Sequence, residues 1–178
     1  IQADLQVNNP GLVHVVGNPA FCSLTIRALR DAGYEGAISG ISNCIDAAAK
    51  EQLGSDLEGV YLSYSAGEDP ADPDCATYLN IVAKYDPEIV PNGTPVGAFV
   101  SLESFRRVMA DYTGDYSPAS IAAHIRGHAA VDLPTVAGQQ FKCDSQALAI
   151  IPIACTAAFS YTQLDGDGNT TAFVGASA

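Results

Sequence analysis

The chain has 178 residues, 48% of them hydrophobic, and carries 20 acids against 8 bases, for a net charge of −12. It is long enough to bury a core and too apolar to be disordered. The acidity argues against nucleic acid or an anionic membrane surface as a partner, and no uncharged apolar stretch is long enough for a transmembrane helix.

The chain opens on Ile1-Gln2-Ala3-Asp4, with no initiator Met and no apolar leader. That reads as the interior, the mature form or a trimmed part of a longer chain, with Leu5 to Pro10 as a helix end or turn. A strand follows at Leu12 to Gly17. Asn18 suits an N-cap and Pro19 the first helical position, so a helix is expected from Pro19 to Ala32. Phe21, Leu24, Ala28, Leu29 and Ala32 would form its apolar face, and Gly33 would stop it. A second strand is expected at Ala37 to Ile41. Next comes a helix at about Ile45 to Leu53, capped by Ser42 or Asn43, with Asp46 in its first turn. A third strand runs over Gly59 to Tyr64. Strand, helix, strand, helix, strand at this spacing builds a parallel sheet with right-handed crossovers.

An acidic, turn-rich linker at Ser65 to Pro73 marks the clearest boundary. Three helices are expected beyond it. Pro73 to Tyr85 would turn Cys75, Tyr78, Leu79 and Val82 inward. Pro95 to Tyr112 would turn in Ala98, Leu102, Phe105, Met109 and Tyr112. Pro118 to about Ala130, capped by Ser117, would turn in Ile121, Ala122 and Ile125. From Gly138 the pattern changes to strands, at Phe141 to Asp144, within Ile150 to Gln163, and at Thr171 to Val174. The fold class is therefore α/β: an open, mostly parallel sheet with flanking helices and antiparallel strands at the C-terminus. In open sheets of this kind ligands sit outside the carboxyl ends of the strands. That singles out Asn18, Ser42 and Asn43, with Tyr64 at the end of the third strand. Helix capping alone would also account for Asn18 and Ser42.

Five cysteines occur without a zinc-type C-x-x-C pair. Cys22 and Cys44 each follow a predicted strand by a few residues, and Cys143 and Cys155 flank a strand-rich segment. Two disulfides, Cys22 with Cys44 and Cys143 with Cys155, and a free Cys75 are expected, which implies an exported protein. The alternative is five reduced thiols in a cytosolic chain.

Catalytic signatures are missing: there is no G-x-S-x-G elbow, P-loop or G-x-G-x-x-G. His124 and His128 are spaced i, i+4 and could hold a metal. However, Ile125 stands where an H-E-x-x-H base would be, and no third ligand is near in sequence, so a solvated or capping role is expected. His14, inside an apolar strand, reads as a core residue. Asp165, Asp167 and Asn169 mimic the start of a calcium loop. Thr170 stands at its glycine position and Ala176 at its last ligand, so a turn is the better reading. Neither metal nor cofactor is expected.

Val13-His14-Val15-Val16-Gly17-Asn18, Ile26 to Tyr34, Ser39-Gly40-Ile41-Ser42-Asn43 and Leu57-Glu58-Gly59-Val60-Tyr61 resemble, in order and spacing, a known family. Pro87, Ala98-Phe99 and Ser117-Pro118 continue the likeness. The family is the type I periplasmic binding proteins of the branched-chain amino-acid transporter class, and the likeness covers about their second half. It implies a two-lobed receptor that closes on a small molecule and delivers it to an ABC transporter permease. Residues 1–65 plus 138–178 would belong to ligand-binding lobe two, and 66–137 to an incomplete lobe one, with hinge crossings near Ser63 to Gly67 and near Gly138. A fragment of this kind would expose apolar faces and self-associate. The family's aromatic position after the first strand falls at Asn18, and its ammonium-gripping acid at Ser42. Both depart from the amino-acid-binding pattern, so a neutral or anionic ligand is as well supported as a branched-chain amino acid. The paired cysteines resemble actinobacterial versions of the family, which implies a lipid-anchored protein outside the membrane, or a periplasmic one. The same fold also serves ligand-sensing domains of receptors and regulators.

Overall fold

The computed structural model describes residues 8, 10–64, 66–69, 71–89, 91 and 93–177. The turn read over Leu5 to Pro10 falls largely outside them. Strand β1 (Leu12–Val15), helix α1 (Pro19–Asp31), β2 (Ala37–Ile41), α2 (Ala47–Leu53) and β3 (Tyr61–Tyr64) come first. Helices α3 (Pro73–Tyr85), α4 (Thr94–Val108) and α5 (Pro118–Gly127) follow, then β4 (Val131–Asp132), β5 (Gln140–Phe141), β6 (Ala158–Gln163) and β7 (Val174–Ser177). Strands β1, β2 and β3 are parallel neighbours, with Val15 beside Gly40 and Ile41 beside Ser63. The sheet order is β1-β2-β3-β6-β7, and β4 and β5 form a separate antiparallel pair. This is the mixed α/β, mostly parallel architecture that the sequence pattern implied. The strand expected over Ile150 to Gln163 is shorter: it begins only at Ala158, behind a run of turns.

The chain divides into two compact units, one of Ile1–Tyr64 with Tyr161–Val174, the other of Ser65–Ser160 with Gly175–Ala178. The chain returns to the first of these units at Tyr161. The reason is packing. Phe141 is buried with Val108, Leu133 and Val136, and Cys143, Cys155 and Ala158 pack against that cluster, so this stretch belongs with the helices.

In the first unit Val15, Ile38 and Leu62 point into a core filled by Cys22, Ile26 and Leu29 of α1 and by Leu53, Leu57 and Val60. Three residues were misplaced by the sequence pattern. The buried face of α1 is Cys22, Ser23, Ile26 and Leu29, while Phe21 and Leu24 are exposed, because Cys22 is tied inward by a disulfide and sets the helix rotation. His14 is exposed as well. Strand alternation sends Val13 and Val15 to the core side and His14 to the other, where its Nδ1 lies 3.0 Å from Ser39 Oγ. Arg30 of α1 donates to the carbonyls of Asp56 (3.1 Å) and Glu58 (2.7 Å), holding the 3-10 turn Gly54–Leu57 against the helix. In the tail, Asp165 accepts from the amides of Asp167 and Asn169 at 3.0 and 2.8 Å, the expected turn.

In the second unit Asp72 caps α3 through the amides of Asp74 and Cys75. Tyr78, Val96 and Ala66 form one buried cluster. The face of α4 is set by charge as much as by apolar periodicity. Arg107 pairs with Asp74 of α3 at 2.5 Å and with Glu103 at 2.9 Å, and donates to the Asp132 carbonyl at 3.0 Å. With Val96, Val100 and Val108 on that side, Leu102 (71% exposed) and Phe105 turn outward. This reverses their expected placement. Gly67 donates to Thr135 Oγ1 at 2.9 Å, and a Cβ at Gly67 would meet the Thr135 carbonyl oxygen at 1.6 Å, so only glycine allows this approach.

Two expectations follow for this unit. Hydrogen bonds from Arg106 and then Arg107, together with their charges, hold the Glu103 carboxyl at about 2. A carboxylate whose folded-state value is depressed contributes stability above its ordinary value of about 4.3, and loses it as pH falls toward the depressed one. Acid titration of unfolding should therefore show a loss between about pH 4.3 and 2 that Glu103→Gln reduces. An unchanged acid limb in that variant would refute the assignment. The second concerns Cys75, which is buried and disulfide-free. Burial first, then the charges of Asp72, Glu68 and Asp69, push its thiol up to about 11. It should resist a thiol-specific reagent at pH 8 in the native state and react once the chain is denatured; fast native labelling would contradict this.

Candidate functional site

The loops leaving β1, β2 and β3 emerge side by side, because these strands are adjacent and parallel. They carry Val16 to Asn18, Ser42 to Cys44, and Tyr64. Asn18 is exposed and caps α1, its Oδ1 accepting from Phe21 N at 2.9 Å. Ser42 and Asn43 are different. The cap of α2 is Asp46, whose Oδ1 accepts from Ala49 N at 2.7 Å, so the helix starts later than expected and neither Ser42 nor Asn43 caps it. They sit in the 3-10 turn Ser42–Cys44, Ser42 half-buried and Asn43 exposed. Among the described residues neither side chain has a hydrogen-bond partner. Tyr64 is buried edge-on against Phe173, ring centroids 5.4 Å apart, so it supports the strand ends from below.

This edge is held by the disulfide Cys22–Cys44, whose Cα atoms lie 5.3 Å apart and whose side chains are fully buried. It joins the first turn of α1 to the turn after β2. Gly40 lies under it, and a Cβ there would stand 3.2 Å from Cys44 Sγ. Two apolar groups share the edge. Val16 is exposed, and the exposed Phe21 ring covers Gly17, where a Cβ would meet Phe21 Cδ1 at 2.5 Å. The sequence pattern had assigned Phe21 to the core. Its position three residues after the cap Asn18 was the available signal that it belongs to the strand-end surface. Among the described residues the edge therefore offers the unpaired hydroxyl of Ser42 and amide of Asn43 beside exposed apolar groups, and no acid–base–nucleophile set.

In the second unit Cys143 is joined to Cys155. An apolar cavity of about 370 Å³ lies between α4, α5 and this bridge, lined by Val100, Phe105, Val108, Ile125, Leu133 and Phe141 among others. It contains none of the four strand-end residues. His124 and His128 do meet a third group, Asp111, which the sequence spacing concealed.

No protein-family model and no curated protein matches the chain. Among solved structures it is similar to a possible leucine/isoleucine/valine-binding protein from Rhodopirellula baltica, at 20% identity and a TM-score of 0.68, covering 96% of this chain and 46% of that one. It is also similar to an extracellular ligand-binding receptor from Verminephrobacter eiseniae, at 16% identity and a TM-score of 0.70, covering 96% and 47%. A third is a fatty acid ABC transporter substrate-binding protein from Thermomonospora curvata, at 14% identity and a TM-score of 0.64, covering 99% and 44%. These are binding proteins rather than enzymes. The chain has the periplasmic binding protein fold, and it spans about half the length of the solved proteins it matches. Among the described residues no helix is long and apolar enough to cross a membrane.

The bridge at the strand ends closes 22 residues of sequence separation. On the chain-entropy account such a link is worth about 3 kcal/mol. Replacing Cys22 and Cys44 together by Ala should lower the unfolding free energy by about 2–5 kcal/mol in denaturant titration. No loss of stability would show that the link does not hold this edge.

Proposed function

We propose that the chain is part of an exported solute-binding protein that captures a small polar molecule for an ABC importer, working by ligand-driven lobe closure and not by chemistry. The observation that carries this reading is the pair Ser42 and Asn43. They are polar, sit at the carboxyl end of a parallel strand, are not engaged in capping, and stand on a buried disulfide. Open α/β sheets take their ligands at that edge. Asn18 supplies a further amide, and Val16 and Phe21 supply apolar surface. Tyr64 supports this surface. Ile1–Tyr64 with Tyr161–Val174 would be the core of one lobe, and the helical unit part of the other. Two disulfides favour an oxidising compartment outside the cytosol. The likeness to actinobacterial forms supports a lipid anchor there, with a membrane permease as partner. The exposed Leu24, Leu102 and Phe105 favour self-association of this portion by itself.

The ligand we propose lacks a free α-ammonium group. None of Asn18, Ser42 and Asn43 carries a charge, and an ammonium buried without a counter-charge is costly. The N-terminal end of α1 beside Asn18 favours a negative group, which suits a carboxylate with an apolar body. A fatty acid, the substrate class named for the transporter of one of the similar proteins, has that chemistry.

Calorimetry of the complete gene product against simple carboxylates and against leucine, isoleucine and valine is the test. Carboxylates without an ammonium group should bind at least tenfold more tightly. Ser42→Glu should shift preference toward amino acids by restoring a carboxylate partner. Tight leucine binding by the unaltered protein would refute the role given to Ser42.

A further inference from the structure

We infer that Asp111, His124 and His128 form a binding site for a divalent transition-metal ion of the zinc class. Asp111 lies in the turn after α4, His124 is in α5, and His128 caps the end of α5. The three ligand atoms all lie within 4.8 Å of one another. Both ring Nε2 atoms approach the same carboxylate oxygen, Asp111 Oδ1, His124 at 3.4 Å and His128 at 3.5 Å. A charge-assisted hydrogen bond would be shorter, about 2.7–2.9 Å. Zinc bonds of about 2.0–2.2 Å at tetrahedral angles place neighbouring ligand atoms about 3.4 Å apart. The two gaps therefore match the edges of a zinc coordination tetrahedron better than they match hydrogen bonds.

The outer contact of His128 suits a metal. His128 Nδ1 lies 2.8 Å from the Ala129 carbonyl. A carbonyl can only accept, so Nδ1 carries the proton and the Nε2 lone pair is left toward Asp111, as in most metal-bound histidines. The His124 ring packs against Tyr112, centroids 4.9 Å apart, and the Tyr112 hydroxyl is tied to Ser120 Oγ at 2.7 Å. His124 Nε2 is 2.8 Å from the Val108 carbonyl. By the same reasoning His124 Nε2 donates its proton to that carbonyl, so an ion would have to displace this bond for His124 to ligate through Nε2. The Asp111 side chain is 71% exposed, so an ion enters from solvent and keeps a fourth position for water. Two imidazoles with one carboxylate suit zinc, cobalt, nickel or copper, and not calcium or magnesium, which take oxygen ligands. The ion would clamp the turn after α4 to the end of α5.

The test is titration of the chelator-treated chain with Zn²⁺ by calorimetry, and with Co²⁺ by visible absorption. One equivalent should bind, with tetrahedral Co²⁺ bands and a raised melting temperature. Asp111→Asn, at an exposed position, and His128→Gln should each weaken Zn²⁺ binding by more than about tenfold, the scale on which even an outer partner's loss is felt. His14→Gln, in the other unit, should change nothing. The inference is overturned if no Zn²⁺-dependent signal appears, or if Asp111→Asn binds Zn²⁺ as the unaltered chain does. Asp111→Asn decides the matter should His128→Gln fail to fold.

Discussion

The first unit depends on one covalent constraint, the buried link between Cys22 and Cys44. A helix of one βαβ unit and the turn of the next are joined at the edge where their strands end. The link turns α1 so that Ile26 and Leu29 face the sheet and Phe21 faces out. It requires a small residue beneath it, and Gly40 provides one. Helix packing alone would tolerate scatter in rotation. Here it is fixed at the residues that carry the polar groups of the edge.

The second unit is organised by charge. Arg107 reaches Asp74, Glu103 and the Asp132 carbonyl at once. It thereby joins α3, α4 and β4. A guanidinium can serve three acceptors because its donors lie in a fixed planar fork. The arrangement also explains why apolar side chains of α4 are left outside, since the inward face is already occupied by the ion cluster and three valines. The exposed Leu102 and Phe105 are then a consequence of that choice rather than a failure of burial.

Among the described residues at the strand ends there is no catalytic set. The polar groups there are hydroxyl and amide, with no base to activate the one and no acid to polarise a substrate. Such groups recognise and orient, and the similar solved proteins are binding proteins. The described polar groups of this edge, on Asn18, Ser42 and Asn43, carry no charge, and an ammonium buried without a counter-charge is costly.

The order of elements was legible in the sequence because it rests on local signals. Asn18-Pro19, Asp72-Pro73 and Ser117-Pro118 start helices through caps and a preset φ, and strands read as short apolar runs between turn residues. Periodicity alone could not orient the helices. Phe21, Leu102 and Phe105 sit on plausible apolar faces, but a distant cysteine and a distant aspartate turn those faces outward. His14 was misread because an apolar run in the sequence does not say which alternate residues meet a neighbouring layer. The Ser42-Asn43 turn was legible as a strand end. That it leaves capping to Asp46 depends on where the next helix begins, which tertiary packing decides. The meeting of Asp111 with two histidines was invisible for the same reason: a coordination geometry is a relation between elements, and sequence spacing records only distance along the chain.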